Sequence, residues 1–406
     1  MIDKHQFGFR KWHSAEDQLL LTYCGVVEQL DLGRVVDVVY LDFRKAFDVI
    51  NHSVMLGKLR GLGFCDQLLG WIEAFLVGRL MMVSVGGFDS RVCGVDSGVP
   101  QGSVMGPLLF LIYVNHLANG ISCKWYAFAD DFKLYFTYDR ENSNSTGSPL
   151  QVDLNRLVQT AESWNLGLNA AKCVVMRFGA KSTEGDGSGY FLGETELPLV
   201  HSHRDLGVLV DSSLRFHNHV DSVVRKAAGL ANNLLRSTVC RSSEFMVTIF
   251  VSHIRPLMDY CSTLWNLGFL GDCRKLESVQ RRWTKKVQGL EEMDYQSRLR
   301  ALELFSVRGR MIRSDLIKLW KIFHADREVG LLDLLDRQSH ASTRGHAYKI
   351  SVPRCRKEVR RRFFNVRNVN MWNGLPGRIV EASSLEIFKR MLDTHLRDLF
   401  FQVADV

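Results

Sequence analysis

The chain has 406 residues, of which 46% are hydrophobic and 24% charged, a composition typical of globular proteins. Its formal net charge of +8 favours a polyanionic partner. The longest apolar run, Val104 to Val114, is about half a membrane span, and the charged N-terminus lacks the apolar core of a signal peptide. The nine cysteines include no CxxC pair, so we expect reduced thiols in an intracellular protein of the nucleus or cytoplasm, with no transmembrane segment.

The first hundred residues mix strand and helix signals. Val35 to Leu41 is short and rich in β-branched residues, which predicts a buried strand. Ser53 is expected to cap a helix that stops at residues 61–63, where two glycines follow the last apolar position. Residues 82–85 precede two glycines and predict a strand that enters a turn.

The next hundred residues continue this mixture. Pro107 is expected in the first turn of a helix that ends near residues 119–120. The polar stretches 140–149 and 181–189 are typical of exposed loops. Between them, the apolar spacing predicts a helix over residues 152–164 and the pattern of 173–178 predicts a strand.

Helical signals dominate after about residue 215, with examples at 221–235, 245–254 and 311–323. The chain therefore belongs to the α+β class, with strands concentrated in its first half. We expect three regions, namely residues 1–210, 211–290 and 291–406.

Two adjacent carboxylates, Asp130 and Asp131, interrupt the aromatic run YAFADDFKLYF at residues 126–136. The alternation after them predicts a half-buried strand, and the residues before them predict its partner, so the aspartates would form the tip of a tight hairpin. Aspartate is also a favoured turn residue, which is the simpler explanation of the pair.

A third carboxylate, Asp42, closes the apolar strand VVYLD, where a bare charge is unfavourable unless it is paired or bound to a cation. If that strand lies beside the hairpin, Asp42 and Asp130 converge with Asp131 near them, and each negative charge raises the pKa of its neighbours. Divalent cations reverse this effect, and Mg²⁺ typically takes one or two carboxylates plus substrate phosphates. A pair of such ions can stabilise both the attacking and the leaving oxygens of a phosphoryl transfer.

A glycine-rich loop, SGVPQGSVMGP at residues 97–107, precedes the helix expected around Pro107. Its three glycines let the backbone approach a ligand closely, although an ordinary strand-to-helix turn would have the same composition.

Positive charge is concentrated in two C-terminal clusters. Residues 354–367 hold seven cations against one acid, and residues 274–286 hold the second cluster. With the interleaved aromatic side chains of Trp283, Phe363 and Phe364, they offer phosphate contacts and stacking surfaces for nucleic acid. A solvated protein face is the alternative for each cluster.

Taken in order, these segments resemble the reverse transcriptase of non-LTR (LINE-type) retrotransposons. HQFGFRKWHSAEDQ (5–18) is similar to the segment ahead of that family's first catalytic motif. YLDFRKAFDVINH (40–52) resembles motif A, SGVPQGSVMGPLLF (97–110) motif B and FADD (128–131) motif C. LNAAKCVVMRFG (168–179) resembles motif D, RDLGVLVD (204–211) the primer grip of motif E, and RRRFFNVRNVNMWNGLP (360–376) the C-terminal region of such elements.

The resemblance implies a right-hand polymerase fold, with a palm of antiparallel strands and packed helices, a helical thumb near 211–290 and a basic helical C-terminal region. It implies an RNA-directed DNA polymerase that uses an RNA template, a DNA primer, dNTPs and two Mg²⁺ ions, or Mn²⁺ in their place. Asp42 and Asp130 would hold the metal ions with support from Asp131, and Lys172 would donate a proton to the leaving pyrophosphate.

Further roles are carried over in the same way. Phe47 would be the aromatic gate that rejects a ribose 2′-hydroxyl, and Gln101 and Gly102 would lie near the incoming nucleotide and template. Leu206, Gly207 and Val208 would shape the primer grip. A core aromatic, a surface lysine and a plain β-turn are the ordinary alternatives for Phe47, Lys172 and the 206–208 segment. Nucleic acid would be bound by Arg281, Arg282, Lys285, Lys286, Arg360, Arg361 and Arg362.

Several alternatives stay open. The family's nucleotide-gripping fingers segments and its endonuclease domain would precede HQFGFR, so the chain is expected to be an N-terminally truncated fragment. A catalytically inactive nucleic-acid-binding remnant is therefore the main alternative, and a decayed product without a role is another. A group II intron or telomerase-like reverse transcriptase is the other enzyme of this type, which the wording of motifs A and B disfavours.

Overall fold

The computed structural model describes residues 2–139, 148–180, 187–324, 330–336 and 346–403. It divides the chain into two compact units, the first comprising Met1–Gln18 and Gly33–His201 and the second Leu19–Leu32 and Ser202–Val406. Helix α1 (Ala15–Asp31) begins in the first unit and continues in the second. The predicted functional division at residues 210 and 290 remains a prediction, because compactness alone does not identify a thumb or a tail.

The first unit is an antiparallel sheet with helices packed on it. The four-stranded sheet has the order β6–β7–β1–β8, and every neighbouring pair in it is antiparallel. Two-stranded ladders join β2 to β5, β3 to β4 and β9 to β10. The bounds are β1 (Val35–Leu41), α2 (His52–Gly61), α3 (Asp66–Leu76), β2 (Arg79–Met81), β3 (Ser84–Val85), β4 (Phe88–Asp89), β5 (Cys93–Val95), α4 (Met105–Val114), β6 (Lys124–Phe128), β7 (Asp131–Tyr138), α5 (Pro149–Ser163), β8 (Val174–Phe178), β9 (Gly187–Leu192) and β10 (Thr195–Pro198).

The predicted strand β1 is confirmed, and all seven of its residues are buried. Its one charged residue, Asp37, accepts hydrogen bonds from the guanidinium of Arg177 at 2.8 and 2.9 Å and from the hydroxyls of Tyr138 and Tyr190 at 3.2 and 3.0 Å. A buried carboxylate needs this kind of full satisfaction, since an unpaired charge in a low-dielectric interior is strongly unfavourable. The network joins β1 to β7, β8 and β9.

Helices α2, α4 and α5 bury their apolar faces in one core with residues of the sheet. The core includes Met55 and Leu59 of α2, Phe110 of α4 and Leu154 and Leu157 of α5, all almost completely buried. The expected helix over 152–164 and strand over 173–178 are confirmed as α5 and β8.

Three local expectations were wrong. The cap of α2 is Asn51, which has extended dihedrals and accepts the N–H of Val54, while Ser53 lies inside the first turn. The strand expected over 82–85 is reduced to Ser84–Val85, because residues 82–83 lie between two short ladders. Helix α4 ends at Val114, several residues before the predicted glycine stop.

The two expected loops are only partly described. Residues 140–147 and 181–186 lie outside the described part of the chain. Ser148 caps α5 by accepting the N–H of Gln151, and residues 187–189, expected as loop, belong to strand β9.

The second unit is mostly helical, and the strands in its described part are β11 and β12, which form one hairpin. The expected α+β class, with strands concentrated in the first half, is confirmed. The bounds are β11 (Ser202–Asp205), β12 (Val208–Asp211), α6 (His217–Ser237), α7 (Ser243–Ile249), α8 (Arg255–Asp259), α9 (Ser262–Trp265), α10 (Leu270–Thr284), α11 (Tyr295–Ala301), α12 (Val307–His324), α13 (Glu358–Arg362), α14 (Phe364–Arg367), α15 (Val369–Asn373), α16 (Gly377–Val380), α17 (Leu385–His395) and α18 (Arg397–Phe401), with a π-helical turn at Phe250–Ile254 and a 3-10 turn at Leu331–Leu334.

The segment RNVNMWNGLP has a structural role in this unit. Arg367 and Asn368 donate to the buried carboxylate of Asp315 in α12 at 2.7 to 3.0 Å. Trp372 is fully buried and donates its ring N–H to the carbonyl of Tyr348 at 2.7 Å. The bonds to Asp315 join the C-terminal helices to α12, and the bond of Trp372 joins them to the segment around Tyr348, so packing within the unit accounts for these residues.

Among the described residues, no helix is both long and apolar enough to cross a membrane.

Candidate active site

Asp42 lies where β1 leaves the sheet, one position beyond the Leu41–Phe132 pair. Its main chain is held by the loop before β8. The N–H of Asn169 donates to the carbonyl of Asp42 at 2.8 Å, and the N–H of Asp42 donates to the Sγ of Cys173 at 3.3 Å. These bonds fix the backbone from which the Asp42 carboxylate projects.

Strands β6 and β7 meet in a two-residue hairpin. Phe128 pairs with Asp131, so the turn consists of Ala129 and Asp130. Ala129 has a φ of +56°, in the left-handed region that residues other than glycine seldom adopt. We expected both aspartates at the tip, but Asp131 is an exposed, paired residue of β7 and only the half-buried Asp130 occupies the turn. The difference arises because two residues suffice to connect antiparallel strands.

The carboxylates of Asp42 and Asp130 repel each other. Burial raises the pKa of Asp130 above its usual value and the negative charge of Asp42 raises it further, while the backbone N–H of Asp130 lowers it. One oxygen of Asp42, Oδ2, is buried and accepts no hydrogen bond. The Nζ of Lys172 lies 3.5 Å from that oxygen, but 68% of the lysine side chain is exposed, so this ion pair contributes little to stability.

This pair fits a divalent cation whose coordination is completed by phosphate oxygens. Mg²⁺ typically takes one or two carboxylates plus substrate phosphates, and an unsatisfied buried oxygen beside a second carboxylate matches that demand. Within the described ranges, no group of three or more His, Cys, Asp or Glu side chains could hold a metal ion by itself. Asp131 therefore does not form a three-carboxylate metal site with Asp42 and Asp130 in this structure, and its supporting role stays a prediction.

Phe47 lies in the turns that follow Asp42 and is half-buried. Its ring stacks on that of Phe110 in α4, with centroids 4.2 Å apart, and the ring of Phe9 meets it edge-on at 6.2 Å. The stack fixes the ring of Phe47, as an aromatic gate requires and as a core aromatic would also show. Its role as a gate stays a prediction.

The glycine-rich loop is bound to the segment after Phe47. The N–H of Val99 donates to the carbonyl of Phe47 at 2.9 Å, and the Nε2 of Gln101 donates to the carboxylate of Asp48 at 2.8 Å. A Cβ at Gly98, where φ is +75°, would lie 2.7 Å from the backbone of Asp48, so only glycine allows this approach. Gln101 and its exposed neighbour Gly102 are therefore held beside motif A.

The 206–208 segment belongs to the second unit and is described within it. Leu206 and Gly207 form the two-residue turn between β11 and β12, both with positive φ, and Val208 is buried. The hydroxyl of Tyr260 donates to the carbonyl of Leu206 at 2.9 Å. The turn is therefore rigidly supported, and its role as a primer grip stays a prediction.

The basic residues proposed for nucleic acid divide into two groups by exposure. Arg360 is buried, with its guanidinium 3.7 Å from Glu28, and Arg362 is paired with Glu358 at 2.6 Å. Arg281 is half-buried, and its guanidinium lies over the ring of Tyr295. The members of the predicted set that are classed as exposed are Arg282, Lys285, Lys286 and Arg361.

Sequence reasoning missed the residues that hold the catalytic loops. The Nε2 of His52 lies 2.8 Å from the carbonyl of Gly98, to which Arg79 donates at 2.7 Å. Gln6 binds the turn that carries Asp130, although 123 positions separate it from Ala129. Gln6 lies inside the quoted segment HQFGFR, but no periodicity links positions so far apart in the chain.

Comparison with known proteins confirms the family resemblance. The family model "Reverse transcriptase (RNA-dependent DNA polymerase)" matches residues 1–209. The chain is 28% identical over 375 residues to the RNA-directed DNA polymerase from mobile element jockey of Drosophila funebris, covering 89% of this chain and 39% of that protein. It is 27% identical over 296 residues to the probable RNA-directed DNA polymerase from transposon X-element of Drosophila melanogaster, covering 71% of this chain and 32% of that protein.

The chain thus spans between about a third and two fifths of the length of these relatives. Among solved structures, apo telomerase from Candida tropicalis aligns with a TM-score of 0.40 and 9% identity, covering 82% of this chain and 57% of that chain. At this TM-score the likeness supports no conclusion about fold or function.

Replacing Asp130 with asparagine should stabilise the metal-free protein at pH 7 by about 2 °C in Tm, because a repelled, partly buried charge is removed. The folded-state pKa of Asp130 is raised, so the penalty is absent below the unfolded pKa and complete above the folded one. The gain should therefore shrink as the pH falls towards about 4. Thermal unfolding monitored by circular dichroism in EDTA, at both pH values, measures this difference.

The matched control is Asp139→Asn, which removes an exposed carboxylate just after the far end of β7. Its Tm should change little at either pH. An Asp130→Asn protein that melts below the wild type at pH 7 would contradict the destabilisation of the Asp130 charge by burial and by Asp42.

Proposed function

The chain belongs to the reverse transcriptase (RNA-dependent DNA polymerase) family, and from that premise we propose that it is an RNA-directed DNA polymerase of a non-LTR retrotransposon. The observation that carries the proposal is the juxtaposition of Asp42 and Asp130 at the edge of the sheet, with one Asp42 oxygen buried and unsatisfied. The relatives named RNA-directed DNA polymerases support the same activity.

Asp42 and Asp130 are the residues that would hold two Mg²⁺ ions. When bound, such ions neutralise the carboxylate pair and stabilise the attacking and leaving oxygens of a phosphoryl transfer. In the reaction proposed, the primer 3′-hydroxyl loses its proton to solvent, its oxygen forms a bond to the α-phosphorus of a dNTP, and the bond from that phosphorus to pyrophosphate breaks. Lys172, charged and exposed beside Asp42, holds a proton that the departing pyrophosphate can take.

The substrate-facing residues of this proposal lie in motifs A and B. The fixed ring of Phe47 would exclude a 2′-hydroxyl and so select deoxynucleotides. Gln101, held by Asp48 on the exposed side of the loop, would contact the nucleotide or template. The 206–208 turn and the exposed cations Arg282, Lys285, Lys286 and Arg361 would contact the primer and template backbones.

Primer extension on an RNA template tests the proposal directly. With dNTPs and Mg²⁺, wild type should extend the primer and Asp42→Asn and Asp130→Asn should lose at least about a thousandfold in rate, as loss of a charge-stabilising group does. Asp139→Asn, a carboxylate just after the far end of β7, should retain wild-type activity.

Retained extension by Asp130→Asn would remove the assignment of this residue. Wild-type protein that binds the primer–template but extends nothing would favour the non-catalytic alternative below.

Replacing Phe47 with alanine should raise the efficiency of ribonucleotide incorporation relative to deoxynucleotides by roughly tenfold or more, because the ring that blocks the 2′-hydroxyl is removed. The ratio of kcat/KM for rNTP and dNTP measures the change. Phe9→Ala removes the edge-on neighbour of the same ring and serves as a packing control. An unchanged ratio in Phe47→Ala would show that Phe47 is a core aromatic.

A nucleic-acid-binding protein without turnover is the second candidate function, favoured by the exposed cations of α10 and the loop after it. Arg282, Lys285 and Lys286 are all exposed, and their cluster has no adjoining acidic residue between 278 and 290. Such a cluster can neutralise several phosphates at once.

Changing these three residues to glutamine should weaken RNA binding and lower the slope of log K against log salt by roughly 2, since each lost phosphate contact removes about 0.7–0.9. Fluorescence anisotropy across a salt series measures the slope. Changing Lys321, Lys389 and Arg390 to glutamine removes the same charge elsewhere and should leave the slope near that of wild type. Equal losses in the two variants would indicate a net-charge effect in place of a defined site.

A further inference from the structure

The turn that carries Asp130 is held by a residue near the N-terminus, far from it in the sequence. Gln6 is buried, with 5% of its surface exposed, and it is bridged in parallel to Ala127 of β6. The N–H of Phe7 donates to the carbonyl of Ala127 at 2.8 Å, and the N–H of Ala127 donates to the carbonyl of His5 at 3.0 Å. Residues 5–7 therefore line the free edge of β6 as a short additional strand.

The side-chain amide of Gln6 binds both main-chain groups of Ala129. Its Oε1 accepts the N–H of Ala129 at 2.8 Å and the N–H of Gly8 at 2.9 Å, and its Nε2 donates to the carbonyl of Ala129 at 3.1 Å. Ala129 is itself buried, so its N–H and carbonyl need partners that the tight turn does not supply. Both the oxygen and the nitrogen of the amide are thus bonded to this turn, and the oxygen also binds the N–H of Gly8.

The conformation that Gln6 supports is one that alanine adopts only with difficulty. Ala129 has a φ of +56°, in the left-handed region where the Cβ of an L-residue comes too close to the following carbonyl oxygen. Such a conformation persists at functional sites when surrounding contacts over-determine it. Because Asp130 follows Ala129 directly, the backbone angles of Ala129 set the direction in which the Asp130 carboxylate projects.

The neighbouring glycine makes this approach possible. A Cβ at Gly8 would lie 2.3 Å from the backbone nitrogen of Ala129 and 2.9 Å from its Cα, distances that real contacts do not allow. Residues 6–8 therefore pack directly against Ala129, the residue that precedes Asp130.

We infer that Gln6 is a positioning residue that fixes the Ala129–Asp130 turn and so sets the affinity of the Asp42–Asp130 pair for divalent cations. The inference rests on the proposed function, since it assigns to that pair the binding of cations. Outer residues that orient the ligands of a metal typically change its affinity by 10- to 100-fold when they are replaced.

The test measures Mn²⁺ binding to the full chain, without substrate, by the loss of the free Mn²⁺ signal in electron paramagnetic resonance. Gln6→Met keeps the length and removes the amide, and it should weaken Mn²⁺ binding about tenfold. The Mg²⁺ concentration for half-maximal primer extension should rise by a similar factor, while KM for the primer–template stays unchanged.

Gln280→Met is the matched control, because Gln280 is a fully buried glutamine of the second unit whose amide is also hydrogen-bonded. Gln280→Met should lower Tm about as much as Gln6→Met does, because each removes a buried, hydrogen-bonded amide, but it should not change the affinity for Mn²⁺. If Gln6→Met does not fold, Gly8→Ala moves the same turn without removing a buried amide and should produce the same loss of affinity.

The outcomes separate the two hypotheses. Wild-type protein whose Mn²⁺ binding is insensitive to Asp130→Asn would overturn the proposed metal site itself. Binding that depends on Asp130 but is equal in wild type and Gln6→Met, or in wild type and Gly8→Ala, would overturn the positioning role of this segment and leave the metal site standing. A selective loss in these variants, with Gln280→Met unaffected, would establish the inference.

Discussion

The partial burial of the Asp130 carboxylate, next to the negative charge of Asp42, is the constraint on which the candidate site depends. Two negative charges near one another, one of them partly withdrawn from water, raise the free energy of the metal-free fold. The fold must therefore hold both backbones firmly enough that the charges cannot simply move apart. Asp42 is held by the loop before β8, and Asp130 is held by a two-residue turn bound to Gln6.

The packing of the rest of the sheet offsets the unfavourable free energy of the buried charge at this site. Strand β1 is buried along its whole length, and its internal charge, Asp37, is satisfied by one arginine and two tyrosines. Strand β1 thus carries a fully satisfied carboxylate in its interior, whereas Asp42, one position beyond its end, has one oxygen that accepts no hydrogen bond. Of these two carboxylates, only that of Asp42 has a buried oxygen without a hydrogen bond, and the proposed cation site rests on this contrast.

Much of this could be predicted from the sequence. The buried strand β1, helix α5 and strand β8 follow from hydrophobic periodicity, and the convergence of Asp42 with Asp130 follows from placing the strand beside the hairpin. The bonds of Gln6 to Ala129 and of Gln101 to Asp48 could not be predicted, since they join residues distant in sequence by side-chain hydrogen bonds that leave no periodic pattern. The cap of α2 was assigned to the wrong residue because two good capping residues stand two positions apart, and only the dihedral angles decide between them.

Lys172 connects the electrostatics of the metal-free pair to the chemistry proposed for it. Its ammonium lies 3.5 Å from the unsatisfied oxygen of Asp42, where a cation would bind. In the reaction proposed here, Asp42 would hold a divalent ion in competition with Lys172, which would leave the exposed lysine side chain available to the phosphates. In that proposal, the ammonium of Lys172 would supply its proton to the departing pyrophosphate.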